Sequence, residues 1–291
     1  MIKRYLMREI SSYGDFAFRV ERTRLKGDFV FHDHDFHEIM VVVRGTAAHR
    51  VNDEVHPVRT GDVCVLSDGD RHGFEDVRGL ELYNVMFDRT RLFSLGEDLR
   101  GLPGFQSLFV LDRLQVREHS CRSRVRLDPS QLAEAESLLS RMLDEYARAR
   151  GGMKTLLMAS FILLIGHLSR CYANNQAGSP GRVDRLAGAA ACLRDPMAAD
   201  VNIDRLAGIA QMSRRHFQRT FTEAYGVSPT EYRIQVQMER ACLLLRDPSL
   251  SVAEIASACG VSDSNYFSRL FRQHLGMTPV AYREKMRNPT P

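Results

Sequence analysis

The chain has no C-x-x-C pair, no apolar run long enough to cross a bilayer and no strong net charge. Its six cysteines, Cys64, Cys121, Cys171, Cys192, Cys242 and Cys259, are far apart. With no leader-like segment over Met1–Ile10, they read as reduced, mostly buried thiols of a cytosolic protein rather than a disulfide framework. The longest apolar run, Thr155–Gly166, is too short for a membrane span and reads as a buried helix. The net charge is only +4 over 291 residues. That surplus is local, because residues 201–291 hold 12 Lys and Arg against 8 Asp and Glu. A basic final third on a neutral body suits phosphate contact by that third alone.

The same third contains a repeat. Phe217, Arg219, Phe221, Gly226, Pro229, Tyr232 and Arg233 return as Phe267, Arg269, Phe271, Gly276, Pro279, Tyr282 and Arg283. Self-similarity at a fixed period indicates one supersecondary unit used twice. In the first unit Ile203, Leu206, Ala207 and Ala210 make a short apolar stripe, Gln211-Met212-Ser213 turns, and Phe217, Phe221 and Tyr225 face inward at helical spacing. Arg215, Gln218, Arg219 and Thr222 are left outside. In the second, Val252, Ile255, Ala256 and Cys259 support, and Ser264, Asn265, Ser268 and Arg269 are left outside. This is the grammar of a helix-turn-helix whose second helix enters the major groove. Arg can chelate guanine there and Gln adenine. A helix from Pro229 to about Arg246 would separate the two units.

Upstream, short strand-like runs (Ile39–Val43, Val63–Leu66, Leu80–Phe87) are divided by turn residues, which predicts a β-sandwich or small barrel over residues 1–120. Asp128-Pro129 opens a long helix with Leu132, Ala135, Leu138, Leu139, Met142 and Tyr146 on one face. Gly151-Gly152 ends it, and a second apolar helix follows to about Tyr172. The pair serves as core or as a dimer surface. Ala173–Gly181 reads as a linker. His32-x-His34-x3-Glu38-x6-Gly45 and Gly61-x5-Ser67-x-Gly69-x2-His72 bring three imidazoles and a carboxylate into one text, a competent set for a first-row divalent metal.

Two resemblances add to these readings. Residues 182–287 resemble the DNA-binding domain of the AraC/XylS family of transcription regulators, most clearly in GVSDSNYFSRLFRQHLGMTPVAYR (260–283) and YGVSPTEYR (225–233). That resemblance makes Arg215 and Arg219, with Ser264, Asn265 and Arg269, the candidate base contacts, and Gln218 on the same outer face is a further candidate. The histidine motifs resemble the paired motifs of the cupin barrel, departing from them at Ser67 and Asp76. HDHDFHEI, RGTAAH, GDVCVL and DGDRH are similar to the sensors of rhamnose-responsive AraC-family activators. The resemblance implies a small-molecule effector of sugar type held by His32, His34, Glu38, Arg71 and His72. It also implies that Glu254 and Asp263 touch the polymerase sigma subunit, although each residue also suits a local role, Glu254 in the first turn of its helix and Asp263 as an N-cap.

The expected architecture is α+β and multidomain. A cupin-like sensor spans 1–120, a helical dimerisation segment and linker 121–181, and an all-α tandem helix-turn-helix 182–291. The expected function is a cytoplasmic, non-enzymatic, homodimeric activator on double-stranded DNA, without a membrane partner. No cofactor is required, though a divalent metal on His32, His34, Glu38 and His72 stays open. A metal- or organic-acid-responsive regulator, and a cupin enzyme with a fused helical domain, are the alternatives.

Overall fold

The computed structural model describes residues 3–13, 16–93, 95–111, 124–175, 182–195 and 201–287. It divides into two compact units, Met1–Asp184 and Arg185–Pro291. Of the linker segment, Ala173–Asn175 are helical, and the remainder lies outside the described residues, as does Cys121. Cys64, Cys171 and Cys259 are buried thiols, and Cys192 and Cys242 half-buried ones.

Among the described residues the first unit holds one eight-stranded sheet: β1 (Lys3–Tyr5), β2 (Phe18–Arg24), β3 (Phe29–His34), β4 (His37–Val51), β5 (Glu54–Arg59), β6 (Asp62–Leu66), β7 (Arg71–Phe87) and β8 (Arg124–Arg126). The hydrogen-bonded order is β1-β3-β7-β4-β6-β8, with β2 also on β7 and β5 also on β4. Among the described residues this path does not close, so the expected barrel is an open, bent sheet. The long antiparallel pair β4–β7 is its spine, and each strand changes partner along its length. Glu38–Val41 pair with β6 and Thr46–Val51 with β5; Phe87 to Glu81 pair with β2, and Phe74 to Arg71 with β3.

The change of partner occurs at a bend. Register slips between Val42 and Ala48, and Gly45 and Gly79 both take positive φ there. A Cβ on Gly45 would collide with the Gly79 carbonyl, so only glycine permits this close crossing. Odd residues of β4 before the bend, Ile39 and Val41, join the larger core, while even ones, Met40 and Val42, join a second core with Ala47, Phe74 and Leu82. Past the slips the parity reverses, so that Ala47, His49 and Val51 are buried.

Short helices α1 (Met7–Ile10), α2 (Thr90–Phe93), α3 (Glu97–Arg100) and α4 (Pro103–Phe105), the last continuing as a π-turn over Gln106–Val110, carry the chain around the sheet. Then α5 (Pro129–Arg148) begins with a capping box between Asp128 and Gln131. It ends at a left-handed Ala149, two residues before the Gly151-Gly152 turn. Helix α6 (Met153–Asn175) is long and apolar enough to span a membrane by length and composition. Leu157, Phe161, Leu164, Ile165 and Leu168 are nevertheless fully buried in the larger core, with Phe161 edge-on to Phe18 and Phe87. It is a core helix of the sensor unit. Leu156, Ile162 and Leu163 on its other side are 48%, 41% and 56% exposed.

After α7 (Arg182–Arg194), the second unit contains α8 (Ile203–Ala210), α9 (Arg214–Tyr225), α10 (Pro229–Leu244), α11 (Val252–Ala258), α12 (Ser264–Leu275) and α13 (Pro279–Arg287). Several of its helix ends are capped as their residue types dictate. Ser213, Ser228, Ser251 and Asp263 accept backbone N–H bonds at helix starts. Gly226 and Gly276 close α9 and α12 in the left-handed region. The helix between the repeats stops at Leu244 with Leu245 as its cap, two residues short of Arg246. At 1.5 Å per residue it is roughly 24 Å long.

Candidate effector and nucleic-acid sites

Five polar side chains are enclosed in the interior of the sheet. His32 and His34 come from β3, Glu38 and His49 from the two arms of β4, and His72 from β7; none is more than 7% exposed. Pairing of β3 with β7 sets His32 beside His72, ring centroids 4.3 Å apart. Glu38 Oε2 lies 3.6 Å from His34 Nε2 and 3.4 Å from His72 Nε2, the outer limit of a hydrogen bond. His34, Glu38 and His72 offer ligand atoms within 4.8 Å of one another. His32 Nδ1 and His34 Nδ1 donate to the Val30 and Phe36 carbonyls at 2.9 and 2.8 Å. The rings of His34 and His49 stack on Phe36 and Phe74.

Arg71 does not join them. It is exposed on β7, and because adjacent strand residues face opposite sides, its side chain leaves on the far side from His72. Two residues not anticipated from the sequence take part instead. His49 Nε2 is 3.4 Å from His72 Nδ1, and Arg124 Nη2 donates to His49 Nδ1 at 3.2 Å. Only strand parity after the β4 bend could have announced His49.

Burial lowers the pKa of His32 to about 4, with the neighbouring His72 adding to the effect. Burial also lowers His34, and lowers His49 well below the ordinary imidazole range, with His72 and Arg124 next in importance. For Glu38 burial acts upward, but the contacts with His72 and His34 outweigh it and hold the carboxyl below its usual range. At neutral pH His32, His34 and His49 are therefore neutral imidazoles, close to an ionised Glu38.

In the second unit, Arg215, Gln218, Arg219 and Thr222 form one exposed stripe on α9, because Phe217, Thr220, Phe221 and Ala224 occupy the buried side. The equivalent stripe of α12 holds Asn265 and Arg269, both exposed. Ser264 and Ser268 are half-buried rather than free, and the Ser268 hydroxyl donates back to the Ser264 carbonyl at 2.9 Å. Tyr266, 47% exposed, stands beside them and was not anticipated. Glu254 and Asp263 both have local work. Glu254 closes a capping box with Ser251, accepting from its N–H at 2.7 Å. Asp263 accepts from the N–H groups of Asn265 and Tyr266. Those bonds hold both carboxyls below the usual carboxylate range.

An enclosed polar cluster in one unit and two helix-turn-helix elements in the other define a ligand-responsive DNA-binding regulator. The sequence matches the family described as AraC-like ligand binding domain over residues 18–162 and the helix-turn-helix domain family over residues 206–285. It is 28% identical over 267 residues to the HTH-type transcriptional activator RhaR of Mannheimia succiniciproducens, covering 91% of each chain. It is 31% identical to RhaR of Pectobacterium carotovorum, covering 89% of this chain and 88% of the relative. The identity is again 31% to the activator RhaS of Escherichia coli, over 93% of each chain. The chain belongs to the AraC family of transcription regulators, and it is a regulator rather than an enzyme.

The buried imidazoles make a pH prediction. Unfolded histidine titrates near 6.5, so between that value and the depressed folded values the unfolded chain binds protons that the folded chain does not. Stability is complete above about pH 6.5 and falls as pH drops toward about 4, with His32 alone contributing roughly 1–2 kcal/mol of loss at pH 5 after allowance for solvent screening. Melting of the full chain at successive pH values checks this. The sensor transition should move down with acid, and less steeply in His32→Leu; a transition that rises on acidification contradicts it.

Proposed function

We propose that this chain is an effector-responsive transcription activator of genes for breakdown of a rhamnose-like deoxyhexose, working in the cytoplasm as a homodimer on double-stranded DNA. What carries the reading is that similarity to the RhaR and RhaS activators runs through both units, not the DNA reader alone. The chemistry agrees with it. Vicinal hydroxyls need donors and acceptors held at fixed positions, and His32, His34, Glu38 and His72 supply both kinds from three strands. The exposed Leu156, Ile162 and Leu163 of α6 offer an apolar face for a second copy. Sedimentation of the full chain reads this directly, and Leu163→Glu should yield monomer. In the polymerase complex Glu254 and Asp263 face the sigma subunit while keeping their capping bonds.

Base reading falls to Arg215, Gln218 and Arg219 in the first repeat and to Asn265 and Arg269, flanked by Ser264, in the second. Replacing Arg219 or Arg269 with alanine should weaken operator binding by about 1–3 kcal/mol and relax preference at one base pair. Equal losses on operator and random DNA would assign these side chains to phosphates instead.

The effector assignment is tested by a thermal-shift series of the full chain with deoxyhexoses, pentoses, uronic acids and divalent metals. A ligand that binds only the folded state must raise the melting temperature, by the equivalent of about 2.7 kcal/mol at a hundredfold excess over Kd. A rise with a deoxyhexose is expected. A rise only with a metal ion or an acid would refute the sugar assignment.

A further inference from the structure

We infer that Arg124 fixes, through His49, the proton on His72 Nε2, and so makes the buried cluster a receptor for hydroxyl groups instead of a divalent metal. The inference deepens the effector reading and rests on it. A cupin-like set of His34, Glu38 and His72, with ligand atoms within 4.8 Å, implies a metal; whether these residues fit one depends on where their protons sit.

Those protons follow from donors and acceptors whose roles cannot change. A guanidinium only donates, so His49 Nδ1, 3.2 Å from Arg124 Nη2, must accept. His49 therefore carries its proton on Nε2 and donates to His72 Nδ1 at 3.4 Å. His72 is in turn left with its proton on Nε2, directed at Glu38 Oε2 3.4 Å away. The other two rings are set the opposite way. Backbone carbonyls only accept, so His32 and His34 hold their protons on Nδ1 toward Val30 and Phe36, leaving both Nε2 atoms with lone pairs.

A metal requires an unprotonated nitrogen on each imidazole ligand. Two rings comply and His72 does not. Moving its proton to Nδ1 would force His49 to turn an N–H toward Arg124, donor against donor in a buried place. A hydroxyl has no such conflict. It can accept from His72 Nε2–H while donating to Glu38 or to the His34 lone pair, and the Nε2 atoms of His34 and His72 are buried without a good partner of their own. Arg124 is thus a positioning residue, two side chains removed from the ligand. Its own Nε is also buried without a partner among the described residues, although the residue as a whole is half-buried.

Two measurements test this, and neither needs the effector, so a wrong choice of sugar would not confuse the result. Long-range proton–nitrogen correlation spectra of the full chain with nitrogen-labelled histidine report each tautomer. His49 and His72 should carry Nε2–H, and His32 and His34 Nδ1–H; an Nδ1–H form of His72 overturns the inference. The second measurement is Co2+ titration followed by visible absorption. The natural chain should bind weakly and Arg124→Lys, which keeps a donor, likewise. Arg124→Met should gain roughly 10- to 100-fold in Co2+ affinity, the size of effect that outer partners exert on metal ligands. Tight stoichiometric Co2+ binding by the natural chain, or no gain in an Arg124→Met protein that melts normally, also overturns it. Should Arg124→Met fail to fold, the spectra of the natural chain decide alone.

Discussion

A carboxylate with almost no access to water is the constraint on which the sensor unit depends. Removing Glu38 from solvent costs several kcal/mol unless polar partners surround it, and the partners here are imidazoles from two other places in the chain. His34 and His72 reach it only because β3 and β4 both lie along β7. The bend at Gly45 and Gly79 then brings the far arm of β4 back with His49 on the inner side. Packing of α5 and α6 on the sheet's other face leaves this interior undisturbed, since Phe161 and its neighbours fill the larger core. The polar cluster thus shares its face of β4 with the smaller core of Met40, Val42, Phe74 and Leu82, while the helices pack on the opposite face.

The DNA-reading unit rests on different physics. Each of its two elements is a small apolar knot, with Phe217 and Phe221 in one and Phe267 and Phe271 in the other, all fully buried. Serine and aspartate caps start α9, α10, α11 and α12, and glycines stop α9 and α12. The two recognition helices share a scaffold but not a reading face. Arg215, Gln218 and Arg219 can bind bases bidentately. Of the second set only Arg269 and Asn265 stand free, because Ser268 turns back on its own helix. The two exposed sets therefore differ in chemistry, two arginines and a glutamine on α9 against one arginine and an asparagine on α12.

Local regularities were legible in the sequence, and long-range ones were not. The repeat, the caps at Asp128, Ser213 and Asp263, and the buried sides of α5, α9 and α12 follow from helical period and side-chain chemistry within a few residues. His32, His34, Glu38 and His72 were legible because their spacing is a motif. Arg71 was misplaced beside them, since nearness in sequence puts adjacent strand residues on opposite faces. His49 escaped because the slips in β4 reverse its parity. Arg124 escaped because β8, among the described residues, joins the sheet through its pairing with β6, a contact no local pattern announces. Likewise, α6 runs on to Asn175 into a segment whose composition reads as linker.

In the proposed function the carboxylate buried among histidines is where the effector acts on transcription. The most direct measurement is effector-dependent transcription in vitro from the natural operator, comparing the natural chain with Glu38→Gln. A response is expected in the natural chain and none in Glu38→Gln at any effector concentration, with operator binding by the same preparation reporting a folded reader. A Glu38→Gln protein that responds to the effector as the natural chain does would contradict it.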